Sequence, residues 1–263
     1  MTYSLGSRDE EQTRLLWQSK AYGDLENIAF KAGETVVEAG CGVGANLWIV
    51  PEFSIGSYIG FDANEEQIVK AKQVAEHLGI SNVQLFVGNM MDEGLLDKGI
   101  ADTLFIRLVL IHLKEPERAV RNLLPVVKSG GRIVAVEPDS YAYRIGPDKE
   151  NLQHCWLKRC ELAYGADRGT MDVAGRLDQL FRSVGLTQIK TRQHLIEVHG
   201  NDQERLRHFA NGWIVMINSV ADQLIEKGMI SREELDAANA EAKSFDENTI
   251  LRQYLTIGEG IVA

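Results

Sequence analysis

Residues 34–48 read ETVVEAGCGVGANLW: a valine-rich apolar run stops at the carboxylate of Glu38, passes glycines at 40, 42 and 44, and changes to helical composition. The valine run has the length of a buried strand. Glycine lets the chain turn sharply and lets a ligand touch backbone where a side chain would block it. The following "ANLWIV" reads as a helix that Pro51 ends. Strand, glycine turn and helix in that order form the first unit of a parallel sheet, with a ligand outside the strand's carboxyl end.

The same alternation runs on downstream. "SYIGF" reads as a strand, and "NEEQIVKAKQVAEHLG" as a helix with a capping box of Asn64 and Gln67, apolar positions Ile68, Ala71, Val74, Ala75 and Leu78, and Gly79 as its stop. "NVQLFV", "DTLFIR" and "GRIVAVE" are further strands, and "PERAVRNLLPVV" is the helix before the last of them. Upstream, residues 9–30 read as one helix with Leu15, Leu16, Leu25 and Ile28 as apolar positions. Crossover helices of this length force a parallel sheet covered on both faces. Residues just after Val37, Phe61, Val87, Ile106 and Val136 should therefore face the ligand.

The last third breaks the pattern. "DVAGRLDQLFRSVG" is an amphipathic helix, "LTQIKTRQHLIEVH" a strand, and helices follow at about 201–227 and 231–244, the second opened by the capping box of Ser231 and Glu234. The final "TILRQYLTIGEGIVA" is strand-like with no helix after it, so it pairs antiparallel at the sheet edge. The expected fold is a doubly wound α/β domain over residues 1–263, with a seven-stranded, mostly parallel sheet and an antiparallel edge strand. Residues 1–30 form a helical lid, 31–138 the ligand-binding core, and 139–170 and 200–247 cap insertions at the ligand end. Tyr141, Tyr143, Trp156 and Trp213 lie in those insertions, as pocket walls or as packing of cap on sheet.

Composition narrows the partners. A formal charge of -10 over 263 residues works against nucleic acid, whose binding is driven by cationic groups. No apolar run approaches the roughly 18 residues of a membrane span, and the first residues are polar and acidic where a signal peptide would be basic and then apolar. The expectation is a cytoplasmic protein acting on a small molecule. Cys41, Cys155 and Cys160 show neither a disulfide framework nor metal spacing and should be reduced.

Two ligands fit the glycine turn. Gly40 to Ala45 satisfies the GxGxxA pattern of a dinucleotide site, with Asp62 about twenty residues on where a ribose-binding acid belongs. S-adenosylmethionine is the alternative. Glu38 favours it, because a carboxylate at the strand end repels a diphosphate but suits an ammonium group.

From "VVEAGCGVG" through "IGFDANEEQIVKAK", "NVQLFVGNMMD" and "DTLFIRLVLIHLKEPERAVRNLLPVVKSGGRIVAVEPD" to the "GR...L...F...G" helix, the sequence resembles the class I S-adenosylmethionine-dependent methyltransferases of the small-molecule type. The resemblance implies a Rossmann-like fold and names site residues. Glu38, Gly40 and Gly42 would form the methionine-side loop, with Cys41 and Asn46 also among the cofactor-binding residues. Asp62 would take the ribose hydroxyls, with Ala63 beside the adenine, Asn89 and Met90 would wall the adenine, and Gln67 and Met91 would also bind the cofactor. Many relatives carry Asp at the position of Asn89, whose side-chain oxygen can still accept from an exocyclic amine. Arg107 would lie beside the methionine part. Tyr3, Arg14 and Gln18 resemble a lid segment that clamps the cofactor carboxylate, since Arg14 and Gln18 share a helix face.

Methyl transfer from a sulfonium needs alignment above all, and a base only where the acceptor holds its proton. His112 is the candidate base, or a structural hydrogen-bonding residue at a helix start. "RLVLIHL" after the fourth strand lacks both the Asn/Asp-Pro-Pro-aromatic loop of amino-group DNA methyltransferases and the nucleophilic cysteine of RNA cytosine enzymes. Asp92 and Asp139 lack a third acid of metal-binding spacing, so the expected chemistry is metal-free. The expected function is methyl transfer from S-adenosylmethionine to a small-molecule acceptor, with NAD-dependent oxidoreduction and S-adenosylmethionine binding without methyl transfer as the alternatives.

Overall fold

The computed structural model describes residues 9–165 and 169–263, with side chains from Leu15 onward. Five strands alternate with helices: β1 (Thr35–Ala39), β2 (Ser57–Asp62), β3 (Val83–Val87), β4 (Ala101–Arg107) and β5 (Val127–Pro138). They lie in the order β3, β2, β1, β4, β5, all parallel. Helix α1 (Asp9–Ala21) precedes them, and α2 (Ile49–Glu52), α3 (Glu65–His77) and α4 (Pro116–Leu123) lie between them. The sheet is buried on both faces, with Val36, Val37, Leu104, Phe105, Ile106, Val134 and Val136 at 0% exposure.

After β5 come the short β6 (Arg144–Gly146), α5 (Glu150–Tyr164), α6 (Leu177–Ser183), β7 (Thr187–His199), α7 (Gln203–Asn218), α8 (Ala221–Glu226), α9 (Arg232–Glu241) and β8 (Ile250–Ile261). β8 is antiparallel, as expected of the final strand. Its residues 255–261 pair with both β5 and β7, so β8 lies one place inside the edge and β7, with mostly exposed side chains, forms the edge itself. β6 adds to β8 beyond the end of β5 and brings the sheet to eight strands where seven were expected. Since β8 is antiparallel to both neighbours, β7 runs with β5, and the segments after each leave at the same end of the sheet. Helix α5 packs against both α7 and α9 there.

The helix expected at about 201–227 is broken into α7 and α8 at residues 219–220, and two helices near the start of the chain also differ from the sequence reading. The first ends at Ala21 and not near Phe30, because Gly23 takes φ 64° and the chain resumes only as a single turn at Leu25–Asn27. After the glycines, residues 44–48 form turns bonded three residues apart, and the helix is the four-residue α2. Pro51 explains this: without an N–H it fits only a first turn, so it sits inside the start of α2 and does not mark its end.

The caps are local and legible. Asn64 accepts from the N–H groups of Glu66 and Gln67 at 2.9 and 3.3 Å, whereas Ser231 and Glu234 make the full reciprocal box at 3.1 and 2.7 Å. Ser231→Ala should cost about 1 kcal/mol, read as a shift in the urea midpoint at unchanged slope. No helix among the described residues is long and apolar enough to cross a membrane.

Candidate active site

The strand ends, α1, α5 and α7 enclose a cavity of about 1070 Å³. Its floor is the glycine turn. Gly40, Gly42 and Gly44 have φ of 75°, 55° and 73°, a left-handed run that side chains oppose. A Cβ on Gly40 would lie 2.5 Å from a Val109 methyl, so the turn is also packed too closely for one. The N–H groups of Gly40 and Cys41 both donate to the Phe61 carbonyl, at 2.8 and 3.0 Å, tying the turn to the end of β2.

Asp62 ends β2 beside that turn. Its carboxylate accepts from Gly42 N–H at 3.0 Å and Asn64 N–H at 2.9 Å. A carboxylate has about four acceptor sites, so capacity remains for hydroxyl groups of a ligand. Burial raises its pKa from the ordinary value, against the opposing N–H bonds. Ala63, Gln67, Asn89 and Met90 line the cavity nearby. The Asn89 side-chain oxygen also accepts from Met91 N–H at 3.0 Å, which fixes its amide.

Arg107, at the end of β4, lines the cavity and is buried. Asp24 holds it by two bonds, Nε to Oδ2 at 2.7 Å and Nη2 to Oδ1 at 2.8 Å. The Tyr22 ring faces the guanidinium at 5.6 Å. Asn46 links this pair to Glu38: its oxygen accepts from Ser19 Oγ at 2.7 Å and from Arg107 Nη1 at 3.4 Å, while its amide donates to Glu38 Oε1 at 2.6 Å.

The expected residues Glu38, Met91 and Tyr141 are not on the cavity wall. Glu38 is 1% exposed and accepts hydrogen bonds from Asn46 and the Tyr58 hydroxyl, because a dry carboxylate takes the nearest donors. Burial pushes its carboxyl up to about 7, against those bonds and the Arg107 charge. Met91 carries the carbonyl that accepts from Asn122 at 2.9 Å. Tyr141 is 56% exposed, in a turn where Asp139 Oδ1 accepts from its N–H at 3.1 Å. Tyr3 and the side chain of Arg14 lie outside the described residues. Gln18 lines the cavity and donates to the Tyr22 hydroxyl.

Three of the four expected aromatics converge. Trp156 on α5 and Trp213 on α7 stack at 4.9 Å, and Tyr143 meets them edge-on at 5.4 and 5.6 Å. All three line the cavity and give it flat apolar walls. His112 lines the same chamber, in the turn Leu110–His112, with its ring 5.0 Å from Tyr164. Burial, and then the Arg159 charge, bring its pKa down to about 4, so the imidazole is neutral at neutral pH.

Sequence reasoning passes over Asp24, Tyr58, Glu137 and Arg159. Glu137 accepts from the N–H groups of Val109, Leu110 and Ile111 at 2.9, 2.7 and 3.3 Å and so holds the turn that carries His112. Arg159 alone had a sequence signal: it shares the helical face of Leu152, Cys155, Trp156 and Cys160, where a charge is out of place. Among the described residues no group of three His, Cys, Asp or Glu is placed to hold a metal ion.

Residues 30–197 match the family described as "Methyltransferase domain". Among curated proteins, the chain is similar to the sterol 24-C-methyltransferase of Pneumocystis carinii, 25% identical over 131 residues that make up 50% of this chain and 34% of that protein. It is also similar to the ajmaline N-methyltransferase of Rauvolfia serpentina, 24% identical over 155 residues, 58% of this chain and 52% of the other. The matched segments span about a third of the length of the first curated relatives, 33 to 34%. Among solved structures, the YcgJ protein of Bacillus subtilis superposes with a TM-score of 0.60 at 17% identity, over 93% of this chain and 99% of that one.

Proposed function

The chain belongs to the methyltransferase domain family, and from that premise we propose that it moves the methyl group of S-adenosylmethionine to a small, partly apolar acceptor. One observation carries the reading: a single cavity runs from the glycine turn and Asp62 to the aromatic cluster of the cap, with room for donor and acceptor together. When bound, S-adenosylmethionine supplies an electrophilic methyl group on a sulfonium. The residues fit that group. Asp62 has acceptor capacity for ribose hydroxyls, Ala63, Asn89 and Met90 offer an adenine wall, and Gly40, Cys41, Gly42, Asn46 and Arg107 surround the methionine end. Glu38 acts on that end through Asn46, and Tyr3, Arg14 and Gln18 belong to the lid in this reading.

The chain's part is then to bind, orient and exclude water. His112 is neutral, and its low pKa makes it a weak base, so alignment without a metal dominates the reading. Oxidoreduction with NAD loses support from the turn itself. A diphosphate site uses a helix that opens at the glycines, whereas residues 44–48 are turns and α2 is four residues long. The three cysteines are buried and unpaired, which suits a reducing cytoplasm.

Asp62→Ala should weaken binding of S-adenosylhomocysteine by about 1 to 3 kcal/mol, the worth of hydrogen bonds to a charged group. Calorimetry of both proteins, with NAD titrated in parallel, tests this. Unchanged affinity, or preference for NAD, rejects the reading. Formation of S-adenosylhomocysteine on addition of small metabolites separates an enzyme from a binder.

A further inference from the structure

Arg159 sits on the buried stripe of α5 and is 2% exposed, yet no carboxylate of a described residue pairs with it. Nη1 donates to the Tyr164 hydroxyl at 3.0 Å, and the rings of Trp156 and Tyr164 lie 5.6 and 5.2 Å from the guanidinium carbon. Its Nε has no hydrogen-bond partner among the described residues, and the Cys160 thiol is the other polar side chain beside the guanidinium. Arg107, buried to a similar degree, shows the contrast, since Asp24 gives it a two-point ion pair. A buried charge without a counter-ion costs several kcal/mol. Aromatic faces recover part of that, but an anion is the partner that satisfies a guanidinium fork.

Where the anion would come from follows from the surroundings. Arg159 lines the same chamber as the Tyr143, Trp156 and Trp213 rings. So do Ser140, Trp156 and Gln253, and in each of these a buried side-chain polar atom also lacks a partner: Ser140 Oγ, Trp156 Nε1 and Gln253 Oε1. Four unsatisfied residues around one cavity are what remains when a polar ligand group completes a site. Tyr164, whose hydroxyl Arg159 bonds, meets the His112 ring at 5.0 Å, so Arg159 lies one side chain from the turn after β4.

We propose that Arg159 anchors an oxyanion, a carboxylate or a phosphate ester, carried by the acceptor whose apolar body lies against Tyr143, Trp156 and Trp213. The methyl-transfer reading enters only in naming that ligand the acceptor. Carboxylate and phosphate present the same oxygens to the guanidinium, and the choice between them is one for experiment.

The test is calorimetry on the full chain with 3-phenylpropanoate, its neutral amide, phenyl phosphate and inorganic phosphate, without nucleoside and again with saturating S-adenosylhomocysteine. The expected result is about tenfold or more tighter binding of at least one aryl anion than of the amide. Arg159→Gln should abolish that preference while leaving amide binding within about twofold, and Arg159→Lys should keep part of it. The affinity for S-adenosylhomocysteine should stay within about twofold in both variants. Whichever aryl anion binds tighter identifies the oxyanion. Equal affinity of anions and amide in the unsubstituted protein, including no detectable binding, overturns the proposal without recourse to a variant. So does a preference that survives Arg159→Gln, or inorganic phosphate binding as tightly as the aryl anions. Aryl anions binding as expected while S-adenosylhomocysteine does not bind would sink the methyl-transfer reading and leave the anion site standing.

Discussion

Asp24→Ala is expected to lower the unfolding free energy by about 3 to 5 kcal/mol, the loss that follows when a buried ion pair keeps one partner. The pair is dry on both sides, with side-chain exposures of 4% for Arg107 and 0% for Asp24. Removing the carboxylate strands a guanidinium at the end of β4. Asn46 and the Tyr22 ring remain beside it, but Asn46 is already held by Ser19 and Glu38 and can offer little more. The cost is that of stranding a charge and is not the net worth of the pair. Asp24→Leu combined with Arg107→Met should therefore recover most of it, because the double variant leaves nothing charged to solvate. Urea unfolding of the three proteins decides the matter. A single-variant loss under about 1 kcal/mol, or a double variant no better than the single, would show that water or a rearranged side chain reaches Arg107.

What the sequence discloses divides by distance along the chain. The strands other than β6, the glycine turn and the caps of α3 and α9 depend on neighbours within a few residues, and they stand where the patterns put them. The place of β8 depends on two strands more than fifty residues before it, and hydropathy cannot show which side of β5 a late strand takes. Pro51 misled locally, since the same missing N–H that ends a helix is tolerated at its start. The site divides likewise. Asp62 and the glycines follow from motif spacing, but Glu38 is satisfied by Tyr58 from the next strand, and Asp24 reaches Arg107 across 83 residues. Tyr143, Trp156 and Trp213 were legible as aromatics in the cap, while the outward turn of Tyr141 rests on Asp139 and the backbone. Arg159 carried a signal as a charge on an apolar stripe, and only the fold shows that no acid among the described residues pairs with it.

Glu38 should make stability depend on pH in the direction opposite to an ordinary paired carboxylate. Burial raises its carboxyl from 4.5 to about 7, so between those values the folded chain holds a proton that the unfolded chain has released. Stability contributed by the neutral form is complete below about 4.5 and is lost as pH rises through about 7. At 1.36 kcal/mol per pH unit, that window amounts to roughly 3 kcal/mol. Glu137, also raised to about 7 by burial, acts in the same direction. His112 opposes them: its pKa falls from 6.5 to about 4, so the unfolded chain binds the extra proton there and stability rises with pH across that range. The total slope mixes these groups, but the difference between the protein and Glu38→Gln isolates one of them. The variant should lie within about 1 kcal/mol of the unsubstituted protein at pH 5, where an amide replaces a neutral carboxyl, and should become more stable by roughly 3 kcal/mol at pH 8. Urea unfolding at both pH values reads this directly. A difference that does not change with pH would mean that Glu38 is already charged in the folded state, its burial outweighed by Asn46, Tyr58 and the Arg107 guanidinium.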